Sequence, residues 1–255
     1  MAEALIRGIL SANKYLPQNI NCSDILLDRL EYMEKNYGVK GHKSNIDVVE
    51  LSETIILAVK PNNIREVVEE IRDALTAEKT LISIAAGIST AFIEDLLEKE
   101  IPVVRAMPNT PCLIGEGVTA LCTGKYAEKG HLEIAAELFG TAGKVLELPE
   151  KLMNGATALS GSGPAYIYLI IEALVDAGVT IGIPRNTASD LVVQTVIGAA
   201  KMVSLSEEHP AVLKAKVMSP GGTTAAALKK LEEGEIRAVL MEAVEAAWEK
   251  AKELQ

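Results

Sequence analysis

Residues 54 to 59 read Thr54-Ile55-Ile56-Leu57-Ala58-Val59, an unbroken apolar run with the length of a β-strand. A strand that is apolar on both faces is typical of a parallel sheet covered by helices on both sides. Lys60-Pro61-Asn62 ends the run, and apolar side chains at helical spacing follow over residues 64 to 75. The stretch therefore predicts a strand followed by a helix, the repeating unit of an α/β fold.

Further segments of these two kinds surround this unit. The predicted strands are a weak one at 19–22 and clearer ones at 80–84, 102–106, 118–122 and 144–148. The predicted helices cover 1–10 and 128–139, one is expected to begin near Ser23 and Asp24, and one begins at Ser89, which can cap it. Strands that alternate with helices favour a parallel sheet with right-handed crossovers. We therefore expect residues 1–149 to form a Rossmann-type α/β domain with a doubly wound parallel sheet.

The remaining residues, 150–255, show no further strand. The predicted helices there cover 150–159, 164–177, 185–205, 210–218, 224–232 and 235–254. Two of them, at 185–205 and 235–254, are apolar over broad faces. Because a small monomeric bundle does not readily cover so much apolar surface, we expect an all-helical dimerisation and substrate domain that associates with a second copy.

The composition narrows the classes of partner and site. A formal charge of −10 without a basic stripe argues against nucleic acid or an anionic membrane surface as the main partner. The three cysteines have no CxxC spacing and the three histidines lie far apart, so no metal site is indicated. No signal peptide is visible, and no uncharged apolar run reaches the roughly 18 residues that span a bilayer. We expect a cytoplasmic protein without a metal.

The stretch Ser219-Pro220-Gly221-Gly222-Thr223-Thr224 separates two predicted helices. Its two glycines let a ligand approach the main chain, and the N-terminus of the following helix offers unpaired N–H groups to an anion. The hydroxyls of Ser219, Thr223 and Thr224 add further donors. The stretch therefore predicts a pocket for a small anion. The alternative is a plain turn between helices with a threonine as N-cap.

Other candidate ligand residues follow the predicted strands. In a doubly wound sheet, ligands bind outside the carboxyl ends of the strands, where this sequence has residues 60–62, 85–87 and 107–111. Lys60 could approach a phosphate, a ribose or a nicotinamide amide, or it could be a solvated lysine. Asn109 and Thr110 lie between two prolines, on a rigid loop or in a plain turn. No GxGxxG fingerprint follows a first strand.

Five motifs resemble one enzyme family when they are taken together. They are Ala58-Val59-Lys60-Pro61, Ala85-Ala86-Gly87, Arg105-Ala106-Met107-Pro108-Asn109-Thr110-Pro111, Ser160-Gly161-Ser162-Gly163-Pro164-Ala165-Tyr166, and His209-Pro210 through Ser219 to Thr224. In this order they resemble pyrroline-5-carboxylate reductase over the whole chain. The resemblance implies reduction of 1-pyrroline-5-carboxylate to L-proline by NADPH or NADH, the last step of proline biosynthesis. It also implies an interlocked homodimer, which can assemble further into a higher oligomer.

The resemblance also implies a set of site residues. Thr224 is the catalytic candidate, with a hydroxyl that orients the imine or relays a proton from water. Glu207 is expected near the cationic nitrogen, although a solvated loop carboxylate beside Glu208 is the alternative. The substrate-binding candidates are Glu207, Val217, Ser219, Gly221, Gly222, Thr223 and Thr224. The cofactor-binding candidates are Met1, Ser23, Asp24, Asn45, Ala58, Val59, Lys60, Pro61, Ala86, Gly87 and Asn109.

Two expectations concern the cofactor. Members of the family usually open with a strand and a Gly-x-Gly-Asn-Met-Ala-like loop, and residues 1–5 resemble the end of that loop, so we expect about ten residues fewer here and weakened nucleotide binding. No arginine follows the weak strand to pair with a 2′-phosphate, whereas Ser23 can donate to one and Asp24 can accept from a ribose hydroxyl. Because the family often prefers NADPH, we expect NADPH, with NADH as the alternative.

Two competing functions remain open at the level of the sequence. A β-hydroxyacid dehydrogenase would share the two-domain plan, but such enzymes typically use a lysine of the helical domain as acid, whereas the 219–224 turn offers hydroxyls. A dimeric scaffold or binding protein would keep the substrate pocket and no longer hold a nucleotide.

Overall fold

The structure is a computed structural model, and it describes residues 1–253. The chain divides into two compact units: Met1–Ser162 together with residues 247–253, and Gly163–Ala246. Residues 150–162 thus pack with the first unit. The predicted domain division between residues 149 and 150 stays a prediction.

Strands and helices alternate through the first unit. The strands are β1 (Asn21–Ser23), β2 (Lys40–His42), β3 (Thr54–Leu57), β4 (Thr80–Ser83), β5 (Val103–Met107), β6 (Gly117–Thr123) and β7 (Gly143–Glu147). The helices are α1 (Ala2–Ser11), α2 (Leu27–Tyr37), α3 (Asn45–Glu50), α4 (Ile64–Ile71), α5 (Thr90–Leu97), α6 (Lys129–Gly140) and α7 (Met153–Ala156). Short 3₁₀ helices lie at Pro17–Asn19, Pro61–Asn63, Arg72–Ala74, Thr110–Ile114 and Glu150–Leu152, and a π-helical turn covers Thr157–Gly161.

Five of the strands form one sheet in the order β3-β4-β5-β6-β7. Strands β3, β4 and β5 are parallel, with Ile55 beside Leu81 and Leu81 beside Val103. The prediction of a parallel sheet needs one correction, because β6 runs antiparallel to β5 and parallel to β7. The connection between β5 and β6, residues 108–116, contains only a short 3₁₀ helix, and this is too short for a crossover between parallel strands.

The remaining strands, β1 and β2, form a separate parallel pair. Within residues 1–253, β1 pairs only with β2 and β3 has β4 as its single strand partner. Each of these two strands therefore keeps one edge free of strand pairing. In the doubly wound order 3-2-1-4-5-6, such a pair of edges flanks the position of the first strand.

Helices cover both faces of the main sheet. Leu81 and Val103 pack on one face with α4 and α5, whose buried side chains include Ile64 and Ile93. The next residues along the same strands, Ile82 and Val104, point to the opposite face and pack with α1 and α6, through side chains such as Leu5, Ile9, Leu132 and Phe139. Burial on both faces is why these strands are apolar without alternation. The predicted α/β class with helices on both sides of the sheet is confirmed, and the sheet is parallel except between β5 and β6.

Helices α1 and α2 are joined by a polar cluster around Glu3. Its carboxylate accepts from Arg29 Nη2 at 2.5 Å, from the Tyr37 hydroxyl at 2.7 Å and from the Tyr32 hydroxyl at 3.1 Å. The hydrogen bond from Arg29, followed by that from Tyr37, lowers the pKa of Glu3 from 4.5 to about 2. The Glu3 carboxylate raises the pKa of Tyr37 in turn, to about 12. The cluster therefore fixes the start of α1 on α2 through a charged carboxylate.

The second unit is entirely helical. It contains α8 (Gly163–Thr180), α9 (Arg185–Ser206), α10 (Pro210–Lys216), α11 (Thr223–Glu233) and the first part of α12 (Ile236–Glu253). Helices α8 and α9 approach closely, because a Cβ on Gly178 would lie 3.0 Å from the Cβ of Ala188. Their ends are joined by an ion pair between Arg185 Nη2 and Asp176 Oδ1, at 2.6 Å.

Most apolar side chains of the second unit are not covered within this chain. Its buried hydrophobic residues are Val175 and Ala188. Exposed large apolar residues include Tyr168, Leu169, Leu191, Met202, Leu205, Val239 and Met241. Two stretches, Glu150–Thr180 and Arg185–Ser206, are also long and apolar enough to cross a membrane by length and composition alone, a criterion that core helices of soluble proteins also meet.

Candidate functional site

The cofactor candidates after β3 and β4 lie at the carboxyl edge of the main sheet, because these strands are parallel. Ala58, Val59 and Lys60 follow β3, and Pro61 begins a 3₁₀ helix. Lys60 is exposed, and its ammonium has no hydrogen-bond or ion-pair partner within residues 1–253. Gly87, after β4, is buried and has a φ of +79°, a conformation that favours glycine. This edge thus offers a ligand the Lys60 cation and, at Gly87, main chain that no side chain shields.

A second group of candidates lies at the ends of β1 and β2. The Ser23 hydroxyl at the end of β1 donates to Asn45 Oδ1 at 2.7 Å, and Asn45 Nδ2 donates to Glu70 Oε2 at 2.7 Å. Asp24 Oδ1 accepts from the Leu26 N–H at 2.9 Å, which forms a turn before α2. The structure therefore brings Ser23 and Asn45 together as a polar pair. Met1, another cofactor candidate, is the exposed residue before α1.

Asn109 is buried, and its side chain is committed to the protein. Its Oδ1 accepts from the Val118 N–H at 2.9 Å, and its Nδ2 donates to the Ser160 carbonyl at 3.2 Å. These two bonds fix the orientation of the Asn109 side chain, and they leave one N–H and one oxygen lone pair of the amide for other partners. Its role in cofactor binding stays a prediction.

The 219–224 stretch forms a tight turn before α11. The Gly222 N–H donates to the Ser219 carbonyl at 3.0 Å, and Gly221 between them has a φ of +68°. With Pro220 in second place, this is the pattern of a type II turn. Gly222 is the N-cap of α11, and no side chain caps this helix. The alternative of a threonine N-cap is therefore wrong, and the first N–H groups of α11, from Thr223 and Thr224, remain open to an anion.

Glu207 is the charged residue among the substrate-binding candidates. It caps the C-terminus of α9 in a left-handed conformation with a φ of +57°. A left-handed residue commonly ends a helix, and Glu98 ends α5 in the same conformation. Its neighbour Glu208 is paired with Lys216 Nζ at 2.6 and 2.7 Å. Because Lys216 ends α10 and Glu208 precedes it, this ion pair ties the Glu207 loop to the end of α10 that leads into the turn. Val217 is exposed in between.

The described residues also define what the site does not contain. Across residues 1–253, no group of three or more His, Cys, Asp or Glu side chains is placed to hold a metal ion. Cys22, Cys112 and Cys122 are free thiols, and burial raises the pKa of Cys122 to about 12. A thiol with so high a pKa is a poor nucleophile at neutral pH.

A doubly wound sheet with candidate ligand residues at its carboxyl edge is the arrangement of dinucleotide-dependent oxidoreductases, and the chain falls in this class. Comparison with known proteins gives the family. Residues 150–254 match the family model described as pyrroline-5-carboxylate reductase dimerisation, and residues 1–87 match the model of F420-dependent NADP oxidoreductases. The chain belongs to the pyrroline-5-carboxylate reductase family.

Individual relatives support this membership over the full length. Pyrroline-5-carboxylate reductase of Arabidopsis thaliana is 43% identical over 100% of this chain and 92% of its own length. The structure of the Coxiella burnetii enzyme has a TM-score of 0.93 at 38% identity and covers 100% of this chain and 94% of that one. The Plasmodium falciparum enzyme with NADP bound has a TM-score of 0.90 at 37% identity, with coverages of 99% and 93%. Neither a β-hydroxyacid dehydrogenase nor a scaffold protein is favoured by these relatives.

Proposed function

We propose that this protein reduces 1-pyrroline-5-carboxylate to L-proline with NADPH, the last step of proline biosynthesis. The main support is the full-length similarity to pyrroline-5-carboxylate reductases at about 40% identity. The observation that carries the proposal is the uncapped start of α11 beside a glycine turn, which suits the one carboxylate of this substrate. The alternative of a scaffold without activity has no comparable support.

The residues of the turn would hold the substrate by its carboxylate. The open N–H groups of Thr223 and Thr224, together with the Ser219 hydroxyl, supply donors to the carboxylate oxygens. The Thr224 hydroxyl would orient the imine nitrogen or relay a proton from water to it, since a threonine hydroxyl is too weakly acidic to act alone. The Glu207 carboxylate, which has no partner within residues 1–253, would stabilise the positive charge on that nitrogen.

The residues at the strand ends fit a nicotinamide dinucleotide. Ser23 and Asn45 provide hydroxyl and amide groups for a ribose or its 2′-phosphate, and Lys60 provides a cation for phosphate or for the nicotinamide amide. When bound, the reduced nicotinamide supplies the hydride that the imine carbon receives. The related Plasmodium falciparum enzyme has NADP bound, which supports NADPH over NADH.

We also propose that the protein is a cytoplasmic homodimer, and that such dimers can assemble further. The support for the dimer is the match of residues 150–254 to a dimerisation domain and the exposure of apolar side chains on α8, α9 and α12. Leu169 and Leu205, for example, are 65% and 80% exposed in the single chain. Covering such side chains with a second copy is favourable by about 25 cal/mol per Å² of apolar surface.

The experiment compares Thr224→Ala with the parent protein. NADPH oxidation that depends on pyrroline-5-carboxylate is measured alongside NADPH binding by fluorescence titration. We expect a loss of turnover of about a hundredfold or more, in the range for a positioned proton-transfer group, with NADPH affinity unchanged. Thr76→Ala, in an exposed loop of the first unit, is the matched control and should change neither quantity. Equal losses of turnover and NADPH affinity in Thr224→Ala would remove Thr224 from the substrate site.

A further inference from the structure

One face of β5 and of the loop after it contacts the segment 150–161 at three successive positions. The residues are Arg105, Met107 and Asn109, spaced by two as expected for one side of an extended chain. Arg105 Nη2 donates to Asn154 Oδ1 at 3.1 Å, and Asn109 Nδ2 donates to the Ser160 carbonyl at 3.2 Å. Between them, Met107 lies so close to Gly161 that a Cβ on this glycine would be 2.7 Å from Met107 Cε. We call these contacts the β5 seam.

Arg105 is an unusual component of such a seam because its side chain is only 1% exposed. A fully buried arginine is costly unless it is paired. Its Nη1 lies 3.6 Å from Glu150 Oε1 and has no hydrogen-bond partner within the described residues. Glu150 is in turn held by Thr90, whose N–H and hydroxyl donate to the carboxylate at 2.7 and 2.6 Å. The guanidinium thus links the start of α5, the strand β5 and the segment that follows β7.

The segment on the other side of the seam has an uncommon helical form. Residues 157–161 make a π-helical turn, closed by the Ser162 N–H donating to the Thr157 carbonyl at 2.9 Å. Single π-turns inside helices are rare and occur frequently at functional sites. Directly before this turn, Met153 is fully buried against Ala120 and Cys122 of β6. The turn therefore stands between an anchored segment and helix α8, and the seam fixes it to the carboxyl edge of the sheet.

We propose that Arg105 is a positioning residue for the reaction. Through the β5 seam it holds the π-turn and the loop 108–111 in fixed positions relative to each other. This inference rests on the proposed reductase function, because the loop 108–111 follows β5 at the carboxyl edge of the sheet, where the cofactor candidates lie, and the π-turn contacts that loop through Asn109 and Ser160. Arginine suits the task because its planar fork reaches Asn154 and Glu150 at once, whereas the ammonium of a lysine is a single point charge. Displacements of about 1 Å in a positioning element can cost on the order of a hundredfold in turnover.

The test compares Arg105→Lys and Asn154→Ala with Asn154→Asp, which keeps an oxygen for the guanidinium. We expect kcat to fall about tenfold to a hundredfold in the first two variants, with the NADPH dissociation constant within about twofold of the parent value. Asn154→Asp should restore most of kcat. Arg72→Lys, at a partly buried arginine with ion pairs to Asp73 and Glu98, is the matched control and should leave kcat unchanged.

Hydrogen exchange gives a second readout that does not depend on activity. The amides of Val118 and Ser162, which are bonded to Asn109 and to the π-turn, should exchange faster in Arg105→Lys than in the parent, while amides of α4 keep their rates. Unchanged exchange at both amides, or faster exchange with unchanged kcat, would overturn the proposal. If the parent protein does not reduce pyrroline-5-carboxylate at all, the proposed function fails, and the exchange rates alone decide whether the seam holds the turn.

Discussion

Gly222 gives the sharpest test of the substrate pocket. Its φ of −77° is accessible to any residue, so Gly222→Ala should not strain the main chain. A Cβ there would collide with Ser219 Oγ and lie 3.2 Å from the Ser219 carbonyl oxygen. The Ser219 hydroxyl must therefore turn away and the Ser219 carbonyl must shift by a few tenths of an ångström, which removes one donor from the proposed carboxylate pocket.

The expected loss follows from the strength of one hydrogen bond to a charged group, about 1.5–3 kcal/mol, which corresponds to a factor of about 10 to 150 in affinity. We expect the dissociation constant for L-proline, measured by calorimetry, to rise by such a factor in Gly222→Ala, and more in Gly222→Val. NADPH affinity should stay unchanged.

The matched control for this experiment is Gly234→Ala at the other end of α11. The φ of Gly234 is −85°, and its nearest neighbour to a new Cβ would be the Lys230 carbonyl oxygen at 3.4 Å, an ordinary contact. This variant should bind L-proline like the parent. Normal binding of L-proline to Gly222→Val would place the anion pocket elsewhere and refute the reasoning.

Three further predictions concern the first unit. Glu3→Gln should lower the melting temperature at pH 7, because a carboxylate with a lowered pKa stabilises the fold while it is charged. The difference in melting temperature from the parent should vanish as the pH falls from about 4.5 to 2, and a difference that persists at pH 2 would contradict the assignment. Glu137→Gln, at an exposed ion pair, is the control. Ser23→Ala should reduce kcat/KM for NADPH more than for NADH, whereas a parent preference for NADH that Asp24→Asn abolishes would reverse the choice of cofactor. A strand with a Gly-x-Gly-x-x-Gly turn fused before Met1 should pair with the free edges of β1 and β3 and raise NADPH affinity. The oligomer mass in light scattering should stay unchanged. An unchanged NADPH affinity would count against this pairing.

The parts of the fold that the sequence predicts are those with strong local signals. The apolar runs at β3 and β4 gave strands within two residues of their observed bounds, and Ser89 caps α5 by accepting from the Phe92 N–H at 3.2 Å, as expected. Strand β2, Lys40–His42, was missed because its three residues show no apolar alternation and it is a strand only through its pairing with β1.

Other differences arise from contacts that local patterns do not contain. Helix α2 begins at Leu27, later than expected near Ser23, because the Asp24 carboxylate holds a turn in front of it. The helix expected over 150–159 is divided into a 3₁₀, an α-helical and a π-helical part, as its side chains contact strands far away in the chain. The reversed direction of β6 likewise has no signature in a strand's own residues.

In the candidate site, too, local sequence signals were informative and tertiary contacts were not predictable. A general rule for strand ends predicted ligand positions at residues 60–62, 85–87 and 107–111, and the family resemblance supplied the other cofactor candidates. The glycines at 221 and 222 indicated the open helix start. The sequence could not show that the Asn109 amide makes hydrogen bonds with Val118 and Ser160. Nor could it show that Arg105, in an apolar strand, donates to Asn154, which lies 49 residues away in the chain. Such partners depend on tertiary packing, which residue type and spacing do not encode.

The most direct test of the central claim follows the hydride itself. The purified protein is incubated with pyrroline-5-carboxylate and NADPH that carries deuterium at both C4 positions, and the product is analysed by mass spectrometry. The proposed function predicts L-proline with a single deuterium on the carbon of the former imine, formed in step with NADPH oxidation. Absence of L-proline when both substrates are saturating, or L-proline without the label, would contradict the assignment of this chain as a pyrroline-5-carboxylate reductase.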